Sequence, residues 1–432
     1  MTLANSVSSA LKRILALPWW DLTVAILLIF WLGTWFKIWF NHYEPANFFS
    51  LMADDQNWCV DFVKYYACGW IGWTADHGPV YDPAYQFKLI NQLLSPIHLV
   101  RPNYFQYPPT IFAVLAPLVF FRLPTACALW FVSTTILGLA GLALLARFKG
   151  DFQWLDYLFM SLMLMSSAPA WQNAMFGQSA WLFVGLVSLF YWAWLKGKNF
   201  PAGVALAFSA YKPQYLFLLL PIVVASRRWK ILVWACAAEA ILVLLACVVV
   251  GWQNVLYYPA SLIKAESGTD TFGLSSAYMI SLRGIARMFL PTGTGALIGC
   301  FTGLAGSLAV YFLIRHGIKR DAVFLNQAFA LSIIVYLITS PHVFLYDCLI
   351  LGAALLLTVV SLRPTQLLKA GVSGFGRLWV VVLVLFLILS WPGYLSSRDD
   401  IWIVRAAFLC NFLLLVSGGL SVYRQWNPLA RT

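Results

Sequence analysis

The sequence is short of charge. Only 10% of its 432 residues are Asp, Glu, Lys or Arg, against about 25% in an ordinary soluble domain. That excludes a soluble protein of this length, and a chain that is 62% hydrophobic is not a disordered one. Acid is scarcer still, with 16 Asp and Glu against 28 Lys and Arg, for a formal charge of +12. The eight cysteines show no Cys-x-x-Cys or Cys/His ligand spacing, so no zinc site is expected. Cys59 and Cys68 share one polar stretch and can pair there. There is no nucleophile elbow, Walker loop, GxGxxG in a βαβ context or zincin motif. Nucleotide-phosphate cradles and metallohydrolase chemistry are therefore not indicated.

What is present is a series of apolar runs near twenty residues, and a mean hydropathy of +0.79. They predict an all-α, polytopic integral membrane protein with about twelve spans (11–13) in one membrane domain over 1–432. The first run, Trp19 to Phe40, follows Lys12 and Arg13. It is too long for a signal-peptide core, so it reads as an uncleaved span starting in the cytoplasm. Further spans are expected near 108–122, 124–146, 152–169, 178–196, 200–226, 231–250, 294–314, 322–339, 343–361, 378–395 and 401–421. Strict alternation puts Arg227–Lys230, Arg315–Arg320, Arg363–Lys369 and Arg424 inside, in keeping with the positive-inside rule. It puts a large loop at about 41–106, together with 251–293, 340–342 and 396–400, outside. The same count places Arg147/Lys149 and Lys196/Lys198 outside, against the rule. Half-helices at Lys212-Pro213 and around Ala168–Ser179 would change that count, and broken helices at membrane depth line cavities. The basic residues form orientation clusters rather than one continuous face, so nucleic acid is not an expected partner.

Ionisable groups inside apolar spans cost about 2.5–3.5 kcal/mol each on insertion scales and are usually functional. Lys212, Glu239 and Asp347 are of this kind, with His342 at a span end; Lys37 reads as snorkelling, and Glu239 has no evident partner. The 41–106 stretch carries Glu44, Asp54, Asp55, Asp61, Asp76, His77 and His98. Asp61 lies in Trp58-Cys59-Val60-Asp61-Phe62-Val63-Lys64-Tyr65-Tyr66, and desolvating flanks of this kind prepare a carboxylate as a general base. Asp54-Asp55 with Asp61 is more simply read as solvated acids than as a metal site, and neither metal nor cofactor is expected. Lys212-Pro213-Gln214 pairs a freed carbonyl with a buried cation that needs an anion, a phosphate or a structural carboxylate. Arg283 and Arg287, four residues apart, can share a helix face and clamp a phosphate. His342 and Tyr346 share a face beside Asp347. The chemistry these residues point to is acid–base and phosphate-centred, at the outer membrane face.

Asp-Phe-x-x-Tyr-Tyr at 61–66, Tyr-Pro-Pro at 107–109, Gly177-Gln178, Lys212-Pro213 and a late Ser340-Pro341-His342…Tyr346-Asp347, in that order, resemble glycosyltransferase family 87. The resemblance runs from about residue 55 to 360. It implies the GT-C fold class and an inverting transfer of a hexose, mannose first, from a polyprenyl-phosphate sugar to a lipid or envelope-glycan acceptor. The site would lie on the extracytoplasmic side of the plasma membrane. It implies Asp61 as the catalytic base. Arg283, Lys212 and His342 are the expected donor-phosphate ligands, and Tyr65, Tyr66, Gln178, Tyr278, Tyr346 and Asp347 the substrate contacts. A transporter or flippase of lipid-linked sugars is the alternative that also uses broken helices and midplane charges.

Overall fold

The computed structural model describes residues 18–43, 47–49, 52, 59–99, 104–148, 154–267, 278–358 and 401–426. The expected span 378–395, the acids Glu44, Asp54 and Asp55, Ser275–Ala277 and the basic run Arg363–Lys369 lie outside these residues. Every regular element among the described residues is helical. Among the described residues four helices are long and apolar enough to cross a membrane: Leu123–Arg147, Trp229–Val250, Thr294–Gly317 and Ala322–Thr339. A fifth crossing is made if Ala168–Phe176 and Ala180–Leu195, bent by 118°, count as one span. The protein is membrane-embedded, and its lipid-facing surfaces are apolar, as Val233, Ile241 and Leu244 on one helix and Phe301, Leu304 and Leu308 on another illustrate.

In chain order, α1 is Trp19–Tyr43, α2 Val60–Thr74 and α3 Pro83–Leu94. Asp82 caps α3 through the Tyr85 N–H at 2.9 Å, with Pro83 in the first turn, where a missing N–H costs nothing. After three short pieces over Pro109–Phe120 come α4 Leu123–Phe148, α5 Trp154–Met165, α6 Ala168–Phe176 and α7 Ala180–Leu195. Then follow α8 Asn199–Ser209, α9 Leu216–Ser226 and α10 Trp229–Val250. Beyond them lie α11 Trp252–Ser267, α12 Leu282–Arg287, α13 Thr292–Gly317 and α14 Ala322–Thr339. The last described elements are α15 Leu351–Thr358 and α16 Ile401–Trp426.

The segment expected as the second span, 108–122, is not a spanning helix. Its apolar part, Pro109–Phe120, is broken into Pro109–Ile111, Phe112–Leu115 and Ala116–Phe120, and twelve helical residues rise only about 18 Å. It runs back along α2, where Gly72 abuts the Phe112 carbonyl and Gly69 that of Leu115. Any side chain at either glycine would drive the two backbones apart. Glu239 on α10 faces Thr110 of this segment, a polar neighbour its sequence did not reveal.

Without that crossing, α4 and α7 run opposite to the direction that strict alternation gave them. Gly138 lies against Trp181, and Gly141 against Gly185 and Ser188, so α4 and α7 run parallel, with small residues allowing close approach. Their basic ends, Arg147 and Lys196–Lys198, therefore share one face. Arg228 donates to the Trp194 carbonyl, and Arg315 to the Ala225 carbonyl at 3.3 Å, which brings the ends of α9 and α13 to the same face. The opposite face carries the start of α4 and the end of α10, where His77 meets the Val248 carbonyl at 2.9 Å.

A disulfide joins Cys59 to Cys127, while Cys68 is free and buried. The Cys59–Cys68 pairing is thus corrected. Both lie on the α2 side, but helical geometry from 60 to 68 holds them apart, and the start of α4 is Cys59's neighbour.

Candidate functional site

Three chain breaks converge on the start of α2. The first lies between α6 and α7. Gly177 ends α6 with φ of 68° and presses on Phe62; a side chain there would be both strained and obstructed. Two of the backbone N–H groups at the break are taken up by Asn173. The Gln178 N–H reaches the Asn173 carbonyl at 2.8 Å, and the Asn173 Oδ1 accepts from the Ala180 N–H at 2.8 Å. The second break, between α8 and α9, is a single 3-10 turn over Pro213–Tyr215 that presents Lys212. The third follows α14. Asp347 there accepts from the Phe344 N–H at 2.9 Å and from the Tyr215 hydroxyl at 3.2 Å.

Asp61 occupies the first turn of α2. Its preceding residue but one, Cys59, has φ of 51°, is tied to Cys127, and donates its N–H to the Met175 carbonyl at 2.6 Å. A left-handed non-glycine residue is costly and persists where the surroundings over-determine it; here they fix where the acid enters its helix. The Asp61 Oδ1 meets Lys64 Nζ at 2.7 Å, and Oδ2 accepts from Gln178 Nε2 at 2.6 Å. The carboxylate is thus held by a cation and an amide, not by the apolar flanks its sequence suggested. It keeps 20% side-chain exposure, enough for a substrate hydroxyl to reach it.

Gln178 continues the chain. Its Oε1 accepts from Lys212 Nζ at 2.9 Å and from the Tyr65 hydroxyl at 3.4 Å. Tyr65 and Tyr211 also meet Ser179 Oγ, at 2.9 and 2.8 Å, and Tyr65 stacks on Tyr107 with ring centres 4.5 Å apart. Lys212 is buried. Its ammonium lies 5.4 Å from the Tyr346 ring centre and 5.8 Å from that of Tyr215, in electrostatic range of Asp347 and Asp61. Its direct partner is therefore an amide oxygen, and neither carboxylate forms an ion pair with it.

Beside this network lies a second one. Arg283, on α12, is 1% exposed. Its Nη1 meets Glu266 Oε2 at 2.6 Å, the Pro341 carbonyl at 3.3 Å and His342 Nε2 at 3.2 Å. Glu266 Oε1 contacts His342 Nε2. Burial alone raises the Glu266 carboxyl, but His342 and Arg283 outweigh it and hold it down to about 2. The Ile280 N–H bonds to the Val343 carbonyl at 2.8 Å, fastening the approach to α12 against this turn.

Of the residues expected in a site, the structure brings together Asp61, Tyr65, Gln178, Lys212, Tyr346 and Asp347, and beside them Arg283 and His342. One expected substrate contact, Tyr66, is turned away. The Tyr66 hydroxyl is spent on the Phe121 carbonyl at 3.0 Å, because it lies on the face of α2 that packs the returning segment. Tyr278 is 41% exposed, at the edge of the described residues. Arg287 bonds the Leu290 carbonyl at 3.2 Å past its own helix end. Sequence reasoning missed Lys64, Ser179, Tyr211, Tyr215 and Glu266. Lys64, three residues after Asp61, had a readable signal in its i, i+3 spacing; Glu266, one more loop acid, had none. Among the described residues no three His, Cys, Asp or Glu side chains are grouped to hold a metal.

The family model of glycosyltransferase family 87 matches residues 105–341. No curated protein matches the chain. The matched segment contains the first two chain breaks, Gln178, Lys212, Glu266 and Arg283, and it ends at the third break, one residue before His342. Asp61, Lys64 and Tyr65 precede it. The chain belongs to glycosyltransferase family 87 and is a membrane glycosyltransferase, acting between a sugar donor and an acceptor.

Proposed function

Starting from a membrane-embedded family 87 glycosyltransferase, we propose that it moves a hexose, mannose first, from a polyprenyl-phosphate sugar to a lipid or envelope-glycan acceptor. The reaction takes place at the outer face of the plasma membrane, in one GT-C-like domain over 1–432. Asp61 is the general base. The acceptor oxygen bonds to the anomeric carbon as its proton passes to Asp61. The bond from that carbon to the phosphate oxygen breaks, and its electron pair leaves on the phosphate. Arg283, Lys212 and His342 stabilise the charge that grows there. Fixed cations in a water-poor site do this better than solvent can.

The observation that carries the reading is the half-buried Asp61 linked through Gln178 to the buried cation Lys212. One end of that chain suits a hydroxyl proton and the other an anion. Arg283 adds a buried guanidinium whose Nε and Nη2 have no hydrogen-bond partner among the described residues. These two nitrogens form the parallel edge that grips phosphate bidentately. The outer location is supported by the basic helix ends gathered on the face opposite the site, and by the Cys59–Cys127 bond, which belongs to an oxidising compartment.

The test is purified protein in liposomes, offered polyprenyl-phosphate mannose, polyprenyl-phosphate glucose or GDP-mannose with extracted membrane lipids as acceptors. Mass spectrometry should find product with polyprenyl-phosphate mannose, and Asp61→Asn should lower turnover about 10²–10⁴-fold. Product from GDP-mannose alone, or an active Asp61→Asn enzyme, would overturn the donor or the base respectively.

A further inference from the structure

Glu266 is a carboxylate beside two groups assigned to an anion, which is the wrong sign for a phosphate site. A simple competitor would occupy the edge of Arg283 that the phosphate needs. Instead Glu266 takes Nη1, the nitrogen that also faces the Pro341 carbonyl and His342. The Nε–Nη2 edge has no partner among the described residues, although Arg283 is fully buried. Because a guanidinium is planar and rigid, fixing Nη1 fixes the direction of the opposite edge. The same carboxylate holds His342 through its other oxygen, so one side chain sets two side chains of the site at once. The close approach of Gly299 to the Arg283 Cδ and to Pro341 closes the remaining side, where a larger residue would displace the arginine.

Resting on the reading of Arg283 as a donor-phosphate ligand, we propose that Glu266 is the positioning residue of the donor-phosphate site. It clamps Arg283 and His342 into one unit and leaves the bidentate edge of the arginine for the phosphate. Its negative charge is spent on the far side of the guanidinium, and its loss weakens anion binding.

The experiment measures binding of farnesyl phosphate to the full-length protein in detergent micelles, with farnesol and inorganic phosphate as controls. The enzymes are the wild type, Glu266→Gln, Glu266→Asp and Arg283→Gln. Glu266→Gln should bind farnesyl phosphate at least about tenfold more weakly, because a charge-assisted hydrogen bond is worth more than the roughly 1.4 kcal/mol to which a tenfold change corresponds. Glu266→Asp, which keeps the charge on a shorter arm, should fall between the two, and it carries the test if the glutamine variant does not fold. In turnover the loss should appear in donor KM, with acceptor KM unchanged. Equal or tighter binding by the Glu266 variants, with binding lost in Arg283→Gln, overturns the positioning role alone. Unchanged binding by Arg283→Gln overturns the phosphate assignment beneath it.

Discussion

Gln178 donates to Asp61 through Nε2 at 2.6 Å while its Oε1 accepts from Lys212 at 2.9 Å. A neutral amide thus joins an anion to a cation, and both ends of the side chain are committed in one orientation. An amide satisfies both because it carries a donor and an acceptor on one planar group.

Replacing Gln178 by Ala removes two hydrogen bonds to charged groups, each of about 1.5–3 kcal/mol. We expect kcat/KM to fall by about ten- to a hundredfold with the fold retained. Gln178→Glu should be worse, because it sets a second carboxylate against Asp61 even as it pairs with Lys212. Steady-state kinetics beside thermal melts separate the two variants; a glutamate enzyme more active than the alanine one would dismiss the relay.

Tyr65 and Tyr66 are neighbours with different tasks. The Tyr65 hydroxyl belongs to the Gln178–Ser179 network, whereas that of Tyr66 holds the Phe121 carbonyl. Tyr65→Phe is expected to lower turnover several-fold. Tyr66→Phe should instead cost about 1 kcal/mol of stability and leave the kinetics of the folded enzyme unchanged. The reverse pattern would move the substrate-facing side of α2.

How far this was readable from the chain differs between fold and site. Lys212-Pro213 and the stretch around Ala168–Ser179 announced breaks, because proline and charge do not belong in a continuous span, and both are breaks. Residues 108–122 misled because apolarity tells burial but not length along a helix. Only the contacts at Gly69 and Gly72 reveal that this segment folds back on α2. Asp61, Gln178 and Lys212 were legible as motifs. Their pairing was not, since Asp61 and Gln178 lie 117 residues apart and spacing rules reach only a few turns. Glu266 was illegible for another reason: an acid in an outer loop is ordinarily solvated, and nothing local marked this one as facing Arg283.

Acid should test that same pair. Folding lowers the Glu266 carboxyl from 4.5 to about 2, against neighbours Arg283, His342 and, on its own helix, Tyr258. Its stabilising contribution is therefore complete above about 4.5 and fades as pH falls towards 2. The gap in melting temperature between wild type and Glu266→Gln should narrow as pH falls below 4.5. A gap that widens in acid would contradict the ion pair.

The disulfide should matter where it holds the acid. It closes a separation of 68 residues, for which chain entropy predicts about 4 kcal/mol. Reductant is expected to lower the melting temperature of the wild type and to leave Cys127→Ser unaffected. Identical responses of the two proteins would show that the bond contributes nothing.

The arrangement of the basic helix ends makes the strongest topological prediction. With Pro109–Phe120 returning along α2, helix α4 runs from the site face to Arg147, and α7, parallel to it, runs to Lys196–Lys198. Arg228 at the α10 start and Arg315 near the α13 end contact the ends of α7 and α9. The clusters that a strict twelve-span count divided between two sides therefore gather on one, as the positive-inside rule demands of a cytoplasmic face. Single cysteines at Lys198 and Lys319, in a background lacking Cys236, Cys247 and Cys300, should react with an impermeant maleimide only in inside-out vesicles. Cysteines at Pro79 and Leu290 should react in intact cells. Pro79 and Lys198 lie on the two sides of the decisive segment. Labelling of Lys198→Cys and Pro79→Cys from the same side would restore 108–122 as a true span. It would also return Arg147 and Lys196 to the outer face, and the site could then no longer be placed by charge.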